Sequence, residues 1–296
     1  MLEIRLILCP VDFSEFSVRA YRHALSLAEH YRARLVALHI VELSRYPYAD
    51  YAASAGDYAE FCRTLRDGGN EQLREFVKKH HHDEIQPELV VYEGAAADCI
   101  LSLAQARKVD LIVMGTHGRR GYDRLVLGSV TNRVMRKTSY PVLAVCGPRH
   151  EPVSADMGAG EARGHRLNRI LFCTDFSENS ERALSYAISA TEEYDAELTL
   201  LHVLDEAPRA GTEALAKAAE QLVKLIPPEA RKTLKIKTAV RVGKPYQQII
   251  QLAEEAQVDM VAMGVRGRGA LDLAVFGSTT YRVLQLGPCP VLAVHI

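Results

Sequence analysis

The stretch "GTHGRRGYDRLVLGS" at residues 115–129 returns as "GVRGRGALDLAVFGS" at 264–278, with three glycines and the closing serine in register. Each copy follows a short apolar run, "VDLIVM" (109–114) or "VDMVAM" (258–263), and leads into a helix-forming segment. A strand, a glycine-rich connection and a helix start, in that order, form part of a parallel α/β unit. Extending outward at a constant offset, residues 109–145 align with 258–294 with 18 identities in 37 positions. Unrelated chains of average composition would share about two or three. Upstream, "ILCPVDFSE" (7–15) matches "ILFCTDFSE" (170–178), and "ALHIVE" (37–42) matches "LLHVLDE" (200–206). The chain is a tandem repeat. Its first copy is about 14 residues longer, and the surplus falls near the Tyr- and Ala-rich segment 44–60, read as a surface insertion.

The 296 residues suit two cores of roughly 150 residues each. Residues 147–165 are rich in Gly, Pro and charge without apolar periodicity, so the boundaries read 1–147, a linker at 148–166, and 167–296. Within each copy, short β-branched runs alternate with amphipathic stretches. In the first copy strands are expected at 4–9, 34–41, 87–92, 110–114 and 141–146, with helices at 15–30, about 59–80, 96–107 and 129–137. Two doubly wound, Rossmann-like α/β domains follow, each with a five-stranded, mostly parallel sheet and helices on both faces.

Charge excludes several function classes. With 36 Lys+Arg against 37 Asp+Glu, no global field would gather nucleic acid or an anionic membrane. No apolar run approaches the roughly 20 residues of a membrane helix, and Arg5 and Asp12 interrupt the N-terminus too early for a signal peptide, so a cytoplasmic protein is expected. Six cysteines form no CxxC pair, and neither disulfides nor zinc are expected. Consecutive histidines in "HHHDE" (80–84) point in different directions on a helix and make a poor metal site. His39 and His202 recur at matching positions and read as structural histidines.

The loop chemistry points to an anion. Gly115 and Gly264 end strands where a missing Cβ permits positive φ and close approach of a ligand, and Gly118 and Gly267 extend the bare backbone. Gly128, Ser129, Val130 and Thr131, with Gly277, Ser278, Thr279 and Thr280, bring hydroxyls, an N-cap serine and unpaired helix amides, a phosphate-binding set. Arg119, Arg120, Arg124 and Arg133 in the first copy, and Arg266, Arg268 and Arg282 in the second, are candidate partners for phosphate oxygens. Asp12 and Asp175 close the first strands and could accept hydrogen bonds from a base or ribose. Pro10, Val11, Val41 and Met114, with Cys173, Thr174, Leu204 and Met263 in the second copy, offer walls for a flat ring. No GxxxxGK[ST], HRD, DFG or GxSxG is present, and a dinucleotide fingerprint would follow the first strand rather than the fourth.

"PVDFSE", "ALHIVE" and the pattern G-x2-G-x9-G-[ST] in "MGTHGRRGYDRLVLGSVTNRV", followed by "PVLAV", resemble the universal stress protein family over nearly the whole of both copies. The resemblance implies strand order 3-2-1-4-5 and ATP, with or without Mg2+, at the crevice between strands 1 and 4. It places Asp12 and Val41 at the adenosine, Gly115, Gly118 and Arg119 at the phosphates, and Gly128, Ser129, Val130 and Thr131 at the phosphate end. The second-copy equivalents are Asp175, Leu204, Gly264, Gly267, Arg268, Gly277, Ser278, Thr279 and Thr280. Pro10 becomes Cys173, and His117 becomes Arg266. The family's use of the last strand for dimer contacts implies that residues 141–145 and 290–294 pair the domains within one chain, with a homodimer as a further state. The resulting expectation is an ATP-binding stress-response regulator with little turnover. A nucleotide-independent scaffold using residues 46–58 and a slow Mg-dependent ATP hydrolase are the alternatives.

Overall fold

The computed structural model describes residues 3–43, 55–80, 85–118, 127–146, 167–205, 212–265 and 277–295. The described residues of Glu3–Tyr122 and Gly128–Tyr140 form one compact unit, and Leu127 with those of Pro141–Ile296 form the other.

In the first unit, β1 (Leu6–Pro10), β2 (Arg34–Val41), β3 (Glu88–Glu93) and β4 (Leu111–Gly115) lie in the order β3-β2-β1-β4 and are all parallel. Every residue of β1 is buried, as a central strand covered on both faces requires. Helix α1 (Glu15–Tyr31) starts at Ser14, whose hydroxyl accepts from the Ser17 amide, and stops at Arg32 in the left-handed region, whose amide donates to the Ala28 carbonyl. Its Ala20, Ala24 and Ala28 are fully buried, and the small side chains let the helix lie close to the sheet. Helices α2 (Ala55–His80), α3 (Ala96–Arg107) and α4 (Ser129–Lys137) complete the unit.

The second unit repeats the plan. Its strands β6 (Arg169–Thr174), β7 (Glu197–Leu204), β8 (Lys235–Val242), β9 (Met260–Gly264) and β10 (Val291–Val294) lie in the order β10-β9-β6-β7-β8, again parallel. Helix α5 (Glu178–Tyr194) is capped by Ser177 as α1 is by Ser14, and α8 (Pro245–Glu255) and α9 (Ser278–Leu286) follow. The fold class expected from the sequence is therefore present. One detail departs from two self-contained sheets. Strand β5 (Val142–Val145) groups with the second unit, where it runs antiparallel to β10, Leu143 opposite Leu292.

Two element boundaries also differ from expectation. The helix placed at about 59–80 begins at Ala55, so part of the 44–60 insertion is the opening of α2. Residues 44–54 and 81–84 and the linker 148–166 lie outside the described residues. In the second copy the equivalent helix is split into α6 (Thr212–Leu225) and a short α7 (Pro228–Thr233), because Pro227 and Pro228 cannot continue a helix.

Strands β3 and β8 close their units, and both carry ion pairs along their length. Glu88 meets Arg107 at 2.7 Å, Glu93 meets Arg66 at 2.7 Å, and Lys237 meets Glu197 at 2.8 Å.

Candidate functional site

Strand order reverses between β1 and β4, and the crevice of an open α/β sheet lies beyond the carboxyl ends of the strands at that point. The turn after β1 is built around Asp12. Its Oδ1 accepts from the Ser14 amide at 3.1 Å and the Ser14 hydroxyl at 2.6 Å, so Asp12 positions the cap of α1 without being the cap. Asp175 does the same for Ser177, at 3.1 and 2.5 Å. Between each Asp and Ser stands a phenylalanine in the left-handed region, Phe13 at φ 64° and Phe176 at φ 60°. Such a backbone is uncommon for a bulky residue and needs support from its surroundings. Part of that support is a ring stack, Phe13 on His39 at 4.4 Å and Phe176 on His202 at 4.3 Å. The histidines are fixed in turn, because Nδ1–H of His39 donates to the Val11 carbonyl and that of His202 to the Thr174 carbonyl, both at 2.8 Å. They are structural, as their recurrence indicated.

Gly118 arrives from the other side of the crevice. A Cβ on it would lie 2.6 Å from Asp12 Oδ2, so the absence of a side chain lets the glycine loop meet this carboxylate. The first glycine of the motif has a different reason from the one expected. Gly115 is not among the described residues with positive φ. A Cβ there would instead stand 2.8 Å from Phe16 Cβ and 3.1 Å from its backbone, and at Gly264 the obstacle is the backbone of Asn179 at 2.9 Å. These glycines seat the strand end against the first turn of α1 or α5.

At the far end of the motif the N-cap of α4 is Gly128, not Ser129, and that of α9 is Gly277, not Ser278. No side chain caps either helix, and the serines are the exposed first helical residues. The Gly128 amide donates to the Thr116 carbonyl at 2.9 Å and the Gly277 amide to that of Val265 at 3.1 Å, folding the loop back on its origin. Thr131 and Thr280 do not aim their hydroxyls into the crevice. They donate to the carbonyls of Gly115 at 2.8 Å and Gly264 at 3.0 Å, clasping strand to helix. Val130 and Thr279 are half-buried beside them.

The expected ring walls are less open than the sequence implied. Pro10, Val11, Met114, Cys173, Thr174 and Met263 are buried, and Leu204 is half-buried. Val41 turns its side chain toward α2, where its Cγ2 lies 3.1 Å from the Cβ position of Gly69. Thr174 is occupied by the Ser180 hydroxyl at 2.8 Å. His117 is buried, shares a 3.0 Å hydrogen bond with the Thr116 hydroxyl and stacks on Phe16 at 5.0 Å. Two of the candidate arginines serve elsewhere. Arg133 forks onto Asp98 at 2.8 and 2.9 Å, and Arg282 lies over the Tyr246 ring at 4.7 Å. Arg119, Arg120, Arg124, Arg266, Gly267 and Arg268 lie outside the described residues.

The family model for the universal stress protein family matches residues 3–145 and again 166–295. The chain belongs to the universal stress protein family. A family member from Mycolicibacterium smegmatis is 25% identical over 302 residues, spanning 98% of this chain and 96% of that one. One from Methanocaldococcus jannaschii is 34% identical over 145 residues, covering 49% of this chain and 84% of its own. A universal stress protein crystal structure from Archaeoglobus fulgidus shares the fold with a TM-score of 0.72, at 22% identity and 98% coverage of both chains. No helix among the described residues is long and apolar enough to cross a membrane.

The cysteine that replaces Pro10 in the second copy is not a reactive group. Burial raises the thiol pKa of Cys173, and of Cys9 in the first copy, well above its ordinary value. Iodoacetamide at pH 8 is expected to leave both unlabelled in the folded protein and to label them in urea. Peptide mass mapping reads the difference, and labelling of either thiol under native conditions would contradict the buried strands described here.

Proposed function

We propose that each copy, within 1–147 and 167–296, binds an adenine nucleotide, ATP foremost, and that occupancy serves regulation in a stress response rather than turnover. The observation that carries this reading is the meeting of Gly118 and Asp12 across the β1/β4 crevice, next to a helix whose first amides no side chain caps. Asp12 and Asp175 each hold a serine through one carboxylate oxygen, and a carboxylate has several lone pairs with which to accept in addition from a ribose hydroxyl or an adenine amino group. The N-termini of α4 and α9, opening behind Gly128 and Gly277, attract phosphate by their amides and dipole. Mg2+, where present, would be held mainly by phosphate oxygens.

Native mass spectrometry of gently purified protein, followed by ATP titration calorimetry with and without Mg2+, tests the proposal. Up to two adenine nucleotides per chain are expected. Absence of any bound nucleotide at millimolar ATP would refute it, and phosphate release at an enzyme-like rate would move the protein to the hydrolase alternative.

A further inference from the structure

Two of the six cysteines end up facing each other across the antiparallel ladder of the second unit. The register runs Ala293 opposite Val142, Leu292 opposite Leu143 and Val291 opposite Ala144. Continued by two residues, it sets Cys289 opposite Cys146, one immediately before Pro290 and β10, the other immediately after β5. Directly opposed residues in an antiparallel pair have Cα atoms about 4.5 or 5.5 Å apart, and both spacings lie inside the roughly 4.4–6.8 Å that a disulfide accepts. The thiols sense each other electrostatically, since Cys146 is one of the groups that raise the Cys289 pKa, after the larger effect of burial.

Both cysteines are reduced in this structure. We propose that they are a reversible disulfide site, closed by a peroxide-class oxidant. Cys146 is half-buried while Cys289 is only 7% exposed, so Cys146 meets the oxidant first. Its thiolate sulfur attacks one peroxide oxygen; the S–O bond forms, the O–O bond breaks, and the departing hydroxide leaves as water after taking a proton. The Cys289 sulfur then attacks the Cys146 sulfur. The S–S bond forms, the S–O bond breaks, and the hydroxyl leaves as a second water with the Cys289 proton. Two thiols lose two protons and two electrons, and one peroxide takes them up to become two waters.

Packing does not explain why thiols occupy these positions. The repeat places Tyr140 where Cys289 stands and His295 where Cys146 stands, so the same sites on the same plan accept large polar rings. The bond would fasten the end of β5 to the start of β10 and close a loop running through almost the whole second copy. A loop of that length restricts the unfolded chain strongly. The proposal does not rest on nucleotide binding.

The test treats the full-length protein with hydrogen peroxide, then alkylates and maps peptides without reduction. The expected result is a peptide pair joining Cys146 to Cys289, a chain lighter by two hydrogens, and an apparent melting temperature about 5 °C or more above the reduced form. Dithiothreitol should reverse all three. Cys146→Ser, at a half-buried strand end where folding is not at stake, and Cys289→Ala should each abolish them. A bond between other cysteines, a mass loss that persists in either variant, a Cys146-linked dimer of two chains, or oxidation that stops at a Cys146 oxyacid would each overturn the proposal.

Discussion

Gly128→Val is expected to weaken ATP binding to the first copy by about 100-fold, equivalent to about 2.7 kcal/mol. The new Cβ alone would sit 3.0 Å from the Thr116 carbonyl oxygen and 3.4 Å from the His117 Cα, and both neighbours are backbone. Nothing there can swing aside as a side chain tip would. The loop must move, and the α4 N-terminus moves with it, because the Gly128 amide is bonded to the same carbonyl. Calorimetry should then report the second copy alone, with one site in place of two. Unchanged stoichiometry and affinity would remove the helix N-terminus from the proposed site.

The second large effect concerns stability. Phe172 lies in β6, the central strand of its unit, and is fully buried, so Phe172→Ala should cost about 3–5 kcal/mol through lost burial and the cavity left behind. Its counterpart in the first copy is Cys9, equally buried but far smaller. The damage should therefore be specific to the second unit. Urea unfolding followed by hydrogen exchange separates the units, and a loss below about 1 kcal/mol would mean that the cavity collapses around the smaller side chain.

Much of this architecture could be read directly from the chain. Strands buried on both faces announce themselves as unbroken apolar runs, and the apolar periodicity places α1, α3 and α4 within a residue of their observed limits. The start of α2 was hidden because the insertion before it has no counterpart in the second copy against which to align. At the site, the glycine pattern was visible but its causes were not. Composition says that a Cβ is absent, and only packing says whether the space is taken by Phe16, by Asp12 or by a ligand. The partners of Thr131 and Thr280 were hidden for a related reason: a hydroxyl two residues inside a helix can face a ligand or a strand carbonyl, and sequence does not distinguish them. The left-handed Phe13 and Phe176 gave no local signal, since the residue type argues against that backbone and the stabilising His39 and His202 lie in another strand.

The paired charges on β3 and β8 bear on how the protein behaves when concentrated. A sheet's outermost strand is a template on which a strand of a foreign chain can dock, the first step toward fibrils. Here carboxylates flank one such border, and lysine and arginine flank the other, each already matched by a neighbour of its own chain. An incoming strand must desolvate those charged side chains as it pairs, so assembly outward from either border is disfavoured.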